Sequence, residues 1–216
     1  VAVAAGRWPS ALLLADAGAP PDGRDGAGRT ALAIAAQRGH AKTVARLLEM
    51  RADPDARCGA GGTALTAAIE ERQWAIARRI ADARADLGVR VPGDARPMLL
   101  RLAEELQWDT LSHLCKRGAD VRERGPTGRT ALMCVAESGQ EDLVWTLLKR
   151  RADPDVCDSR GDTALSLASH RQLEGTMRIL WECGADLGDA IARVRNPLMR
   201  CVLQEWRGAG VLEEDE

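Results

Sequence analysis

The sequence predicts an all-α solenoid in which pairs of short helices stack on one another, and three observations carry that prediction. One segment recurs as GRTALAIAA at 28–36, GGTALTAAI at 61–69, GRTALMCVA at 128–136 and GDTALSLAS at 161–169. Its threonines, Thr30, Thr63, Thr130 and Thr163, are 33, 67 and 33 residues apart, so a degenerate unit with one extra residue belongs between the middle two. RPMLLRLA at 96–103 fills that slot. A second marker repeats independently as GAPPD from Gly18, RADPD from Arg51, RADLG from Arg84, GADVR from Gly118, RADPD from Arg151 and GADLG from Gly184, in steps of 33, 33, 34, 33 and 33 residues. Third, each unit carries an apolar triad at i, i+3 and i+4, and one helix pair cannot bury such a face alone.

Within the first complete unit, Gly28 supplies a flexible turn position and Thr30 caps the helix that follows. Ala31, Ala33, Ala35 and Ala36 keep that helix slim. After a break at Gly39 and His40, a second helix presents Val44, Leu47 and Leu48 on one face. The matching triads are Ala11, Leu14 and Ala15; Ala77, Ile80 and Ala81; Leu111, Leu114 and Cys115; Val144, Leu147 and Leu148; and Met177, Leu180 and Trp181. The exit position is expected to be left-handed, which suits Gly18, Gly118 and Gly184 and strains Arg51, Arg84 and Arg151. The aspartates that follow, Asp53, Asp86, Asp120, Asp153 and Asp186, suit a turn whose backbone N–H groups a carboxylate satisfies.

The turn glycine, the T-A-L helix start and the G-A-D exit at a period of 33 resemble the ankyrin repeat, over nearly the whole chain. The resemblance implies an ankyrin-repeat solenoid of helix-turn-helix pairs with protruding hairpin-like turns, about five full repeats with partial terminal repeats. Units at 26–58, 59–91, 92–124, 125–157 and 158–190 would be flanked by a partial repeat at 1–25 and a capping half-repeat at 191–207, with an acidic tail at 208–216 whose EEDE end is expected to be disordered. The chain depart from the family where Ala replaces its proline and where Ala33, Thr66, Met133 and Ser166 replace its histidine, so the Thr-to-His bracing of the turn is not expected in its usual form. Because Trp8 falls in the slot of Trp74 and Trp108, the chain opens inside a repeat.

Composition places the chain among folded proteins: hydrophobic residues are 45% and charged residues 29%, without a run long enough to cross a bilayer. A net charge of −2 lacks the electrostatic footprint of a general nucleic-acid binder. Six cysteines without a C-x-x-C pair point to reduced thiols in a soluble, intracellular protein. Cys115 and Cys134 occupy core slots, and His40, His113 and His170 fall at turns or outward helix faces, so neither a catalytic constellation nor a metal site is expected. No phosphate-binding glycine loop is present, and no cofactor or small-molecule substrate is expected.

The resemblance implies a non-enzymatic protein-interaction scaffold or accessory subunit whose partner, another protein, lies along a concave face of turn tips and first-helix ends. On this sequence that face comprises Arg29, Gln37 and Arg38; Gly62, Glu70 and Glu71; Arg96, Glu104 and Glu105; Arg129, Glu137 and Ser138; and Arg160, Asp162, His170 and Arg171. The glutamates form an acidic centre between basic ends and predict a partner with a basic segment. The alternative is a targeting module of a larger enzyme whose catalytic domain lies outside this chain.

Overall fold

The computed structural model describes residues 6–7, 13, 17–59, 61–194 and 197–213. Trp8, the triad of Ala11, Leu14 and Ala15, and most of the opening partial repeat lie outside the described residues. The described residues form twelve helices: α1 (Ala31–Gln37), α2 (Ala41–Glu49), α3 (Ala64–Glu70), α4 (Trp74–Asp82), α5 (Met98–Glu104), α6 (Trp108–Arg117), α7 (Ala131–Glu137), α8 (Glu141–Lys149), α9 (Ala164–His170), α10 (Glu174–Glu182), α11 (Leu187–Arg193) and α12 (Pro197–Glu213). Among these residues there is no strand, only an isolated antiparallel bridge between Arg24 and Thr30.

The chain divides into two compact units, Val1–Met98 with Asp109–Asp120 and Leu99–Trp108 with Val121–Glu216. In the first, α1 packs on α3 and α2 on α4, while each pair closes on itself. In the second, α7 packs on α9, α8 on α10, and α9 also receives α11, which supports α12. First helices thus stack on first helices and second on second, as the repeated apolar face requires.

The slim first helices bury Ala35, Ala36, Ala68, Ala136 and Ala168 completely. Their starts are fixed by threonine oxygens: Thr30 Oγ1 accepts from the Ala33 N–H at 3.2 Å and Thr130 Oγ1 from Met133 at 3.3 Å. Where the replaced histidine became a hydroxyl, the bracing returns in another form. Thr66 Oγ1 accepts the Thr63 N–H at 2.8 Å and donates to the Thr63 carbonyl at 2.9 Å, and Ser166 does the same for Thr163 at 2.9 and 3.0 Å. Two of the four units therefore carry a reciprocal capping box.

On the second helices the triads Ala77, Ile80, Ala81 and Leu111, Leu114, Cys115 are buried as expected, but the buried stripe also extends one residue earlier and in the other units gives up the last triad position. Leu48, Leu148 and Trp181 are only half-buried, whereas Thr43, Ile76, Thr110, Leu143 and Thr176, one residue before each triad, are buried. Two of these threonines have partners for their hydroxyls, Thr43 Oγ1 with His40 Nδ1 at 2.8 Å and Thr110 Oγ1 accepting from Arg78 at 3.4 Å, whereas the Thr176 hydroxyl is buried without one among the described residues.

Arg51, Arg84 and Arg151 have φ of 62°, 65° and 66°, the left-handed exits expected from the repeat. The turn between paired helices adds three more, Arg72, Leu106 and Gln172 at φ 57–59°, in register with Gly39 and Gly139. Exit aspartates bridge their own turns: Asp53 accepts the Asp55 N–H at 2.9 Å, Asp86 that of Gly88 at 2.9 Å, Asp153 that of Asp155 at 3.0 Å and Asp186 that of Gly188 at 2.7 Å.

A second aspartate, two residues further on, reaches the next repeat. Asp22 accepts the Asp53 N–H at 2.9 Å, Asp55 the Asp86 N–H at 2.7 Å and Asp155 the Asp186 N–H at 2.7 Å. Arginines staple the hairpins similarly: Arg24 donates to the Gly28 and Arg57 carbonyls, and Arg124 to those of Gly128 and Cys157.

The C-terminal end departs from expectation. Residues 208–213, expected to lie beyond the capping half-repeat in the acidic tail, continue α12 to Glu213, and Glu214, Asp215 and Glu216 lie outside the described residues. The slot of a hairpin turn is taken by α11, capped by Asp186, whose carboxylate accepts the Gly188 N–H. Trp206 of α12 stacks on Trp181 of α10 with ring centroids 5.3 Å apart. This long helix follows from PLMRCVLQEW, which has apolar residues at helical spacing without a breaking glycine until Gly208.

Candidate protein-binding face

The residues expected to face a partner fall into two classes, those held by their own repeat and those left exposed. In the first unit, Arg29 is drawn into its own hairpin, where its guanidinium lies 2.8 Å from Asp25. Asp25 also accepts the Arg29 and Ala27 N–H groups, and these bonds, the Arg29 backbone donor first, hold its carboxyl below the usual range. Arg96 is chelated likewise by Asp94, at 2.9 Å from Nε and 2.8 Å from Nη2. Gly62 leaves no room for a side chain, since a Cβ would come 2.7 Å from Thr66 Oγ1. Gln37, Arg38, Glu70 and Glu71 are exposed, and Gln37 Nε2 donates to Glu71 Oε1 at 3.4 Å.

In the second unit the glutamates differ sharply. Glu104 is exposed, but Glu105 pairs with Arg101 at 2.9 Å with both side chains less than a fifth exposed. Glu137 lies between two guanidiniums, 2.7 Å from Arg129 and 3.0 Å from Arg171. Burial pushes the Glu137 carboxyl up, but hydrogen bonds from Arg129 and Arg171 outweigh it and hold the carboxyl below its ordinary value. Burial likewise pulls Arg129 down, and only its attraction to Glu137 together with that to Cys134 outweighs this and leaves its pKa raised. Ser138 at the end of α7 turns its hydroxyl back to the Cys134 carbonyl at 2.9 Å. Asp158 accepts the N–H groups of Arg160 and Asp162 at 2.8 and 3.0 Å, while Arg160, His170 and Arg171 are exposed.

The sequence-level acidic centre is therefore partly neutralised from within. Glu105 and Glu137 are matched by Arg101, Arg129 and Arg171, while the side chains of Glu70 and Glu71 in one unit and Glu104 in the other are exposed to solvent. Arg101 was visible as the i,i+4 partner of Glu105. The Arg129–Glu137 pair has no such signal, because its eight-residue separation crosses from a turn to the far end of a helix.

Cys134 is buried beside Arg129; burial, opposed by the guanidinium, raises its thiol and keeps it protonated. His113 Nε2 lies 2.9 Å from Asp82, a neighbouring-helix contact. Among the described residues no group of three His, Cys, Asp or Glu side chains could hold a metal ion, and no helix is long and apolar enough to cross a membrane.

The family model described as ankyrin repeats in three copies matches residues 1–91 and 99–205. The chain belongs to the ankyrin-repeat family. Over 96 residues it is 36% identical to an ankyrin repeat-containing protein of Treponema pallidum (strain Nichols), covering 43% of this chain and 32% of that protein, so it spans about a third of that relative's length. Among solved structures it is similar to the ankyrin repeat domain of Bcl-3, a member of the IkappaB family, with a TM-score of 0.69, 26% identity and coverage of 94% and 96% of the two chains. An ankyrin repeat domain from Acinetobacter baumannii AYE matches with a TM-score of 0.68, 25% identity and coverage of 86% and 96%. A chain from the complex of a Bdellovibrio bacteriovorus predatory endopeptidase with an immunity protein matches with a TM-score of 0.58, 25% identity and coverage of 79% and 89%. Ankyrin repeats are protein-interaction modules, and this chain carries the module's fold.

Proposed function

We propose that the chain is a non-enzymatic scaffold or accessory subunit that holds another protein against its turn tips and first-helix ends. The observation that carries this reading is the sorting of charge at those ends. Arg29, Arg96, Glu105 and Glu137 are engaged by their own repeats, while Glu70, Glu71 and Glu104 stay exposed. Exposed carboxylates at first-helix ends favour a basic segment in the partner, chiefly by raising the encounter rate and excluding wrong partners. The likeness to a chain from a peptidase–immunity protein complex supports a protein as the ligand.

The test places a photo-crosslinking residue at Glu70 or Glu104 and, as controls, at Lys42 and Arg178 on second helices. Crosslinks to one partner from the first pair alone support the reading. Equal crosslinking from the controls, or undiminished partner binding after Glu70→Lys, Glu71→Lys and Glu104→Lys are combined, overturns the choice of face.

A further inference from the structure

The turn between paired helices holds a left-handed residue in five successive units, and in one of them that residue is a leucine. The series reads Gly39, Arg72, Leu106, Gly139 and Gln172, with φ between 57° and 74°. Arg72 and Gln172 can keep a polar end in water, but Leu106 leaves 61% of its surface exposed. It costs the fold twice, through a backbone conformation that favours glycine and through apolar surface left in water. Gly39 and Gly139 show that the turn forms without it.

The surroundings of Leu106 are acidic. Glu104, two residues before it, is exposed, and so are Glu141 and Asp142 at the start of α8 and Glu174 at the start of α10. At this end of the helix pairs, residues 34 apart meet: a side chain on Gly139 would touch Leu173, and the Glu141 carboxylate lies over Gly175. The same step from Leu106 leads to Gln140, beside Glu141, so the leucine has Glu104 on one side and Glu141 with Asp142 on the other. Arg171, the nearby cation at the end of α9, turns to Glu137 at 3.0 Å. A helix start accommodates carboxylates but does not demand them. The first turns of α2 and α4 have none, and the corresponding turns there carry Lys42 and Arg72.

We propose that Leu106 is an apolar anchor for the partner: it receives an aliphatic side chain flanked by lysine or arginine, whose charges meet Glu104, Glu141 and Asp142. The inference rests on the reading of the partner as a protein with a basic segment. It adds what exposed carboxylates lack, because they act mainly on encounter, whereas an apolar contact sealed from water lengthens the life of the complex.

The test titrates the whole chain, at two salt concentrations, with a synthetic peptide of four arginines around a central leucine and with the same peptide carrying a central serine. The leucine peptide should bind about tenfold more tightly. That ratio should hold while added salt weakens both peptides. Leu106→Gly, which copies the residue of the equivalent turns, should erase the ratio without lowering Tm. Glu141→Gln combined with Asp142→Asn should weaken both peptides alike. Equal affinity for the two peptides, a leucine preference that survives Leu106→Gly, or a fall in Tm in that variant overturns the anchor and leaves the carboxylate face standing. Saturable binding of neither peptide overturns both. Self-association of the free chain that Leu106→Gly abolishes would assign the leucine to a second copy and also overturn the proposal.

Discussion

The repeat built on α3 and α4 and the repeat built on α7 and α8 occupy equivalent places in the period, but they anchor themselves differently. In the first, Gly62 leaves the glutamate at the end of the helix, Glu70, exposed, and the helix start is secured by the reciprocal Thr63–Thr66 box. In the second, Arg129 fills Gly62's position and holds Glu137, while Met133 replaces the bracing hydroxyl and leaves a single threonine cap. One repeat is tied at the start of its first helix and the other also from start to end. Equivalent glutamates therefore cannot be assigned equivalent roles: one is left to meet a partner, the other serves its own fold.

The largest expected effect is on that tie. Arg129→Ala leaves a half-buried carboxylate with one exposed donor and should lower stability by about 1–3 kcal/mol in urea unfolding, whereas Glu70→Ala should stay within about 0.5 kcal/mol. Equal losses would remove the distinction between the two glutamates. The same tie gives a pH signature. Because the folded Glu137 carboxyl lies below its ordinary value, its ionised form contributes stability above the unfolded carboxylate range, and that contribution disappears as pH falls through the lowered folded value. The stability gap between the native chain and Glu137→Gln should therefore close on acidification.

Next in size are the caps: Thr63→Ala and Thr130→Ala each remove one threonine oxygen from a helix start and should each cost about 1 kcal/mol, whereas Thr63→Ala combined with Thr66→Ala removes both halves of the box and should cost about 2 kcal/mol. Smaller again is the turn within each pair. Arg72→Gly should gain up to about 1 kcal/mol by relieving a left-handed arginine. Gly139→Ala should lose stability, because its φ is 69° and the new methyl would meet Leu173 at 3.2 Å. The smallest effect is Arg171→Ala, under about 1 kcal/mol and diminishing with added salt, because that guanidinium is 62% exposed.

The parts of the molecule that follow a period were legible from the residues. Threonine caps, alanine-rich first helices and the left-handed Arg51, Arg84 and Arg151 recur at fixed offsets, and each has one local physical cause. Arg72, Leu106 and Gln172 were equally readable by register with Gly39 and Gly139, but their identities give no hint, since only the glycines advertise the conformation. The buried Thr43, Thr110 and Thr176 escaped because a polar residue in an apolar stripe looks like its edge. Of the candidate face, positions could be listed from the resemblance but their freedom could not. Glu105 could be paired with Arg101 from spacing alone, but Glu137 is held by arginines 8 and 34 residues away, and that pairing exists only in three dimensions.

The inter-repeat aspartates have one further consequence. Each links a side chain on one unit to the main chain of the next, so the receiving unit's own side chain is not involved in recognition. A duplicated or transplanted unit keeps this bond to its predecessor with any residue but proline at that point, provided the predecessor keeps its carboxylate. Lengthening or shuffling such a chain thus asks for compatibility from only one side of each new joint.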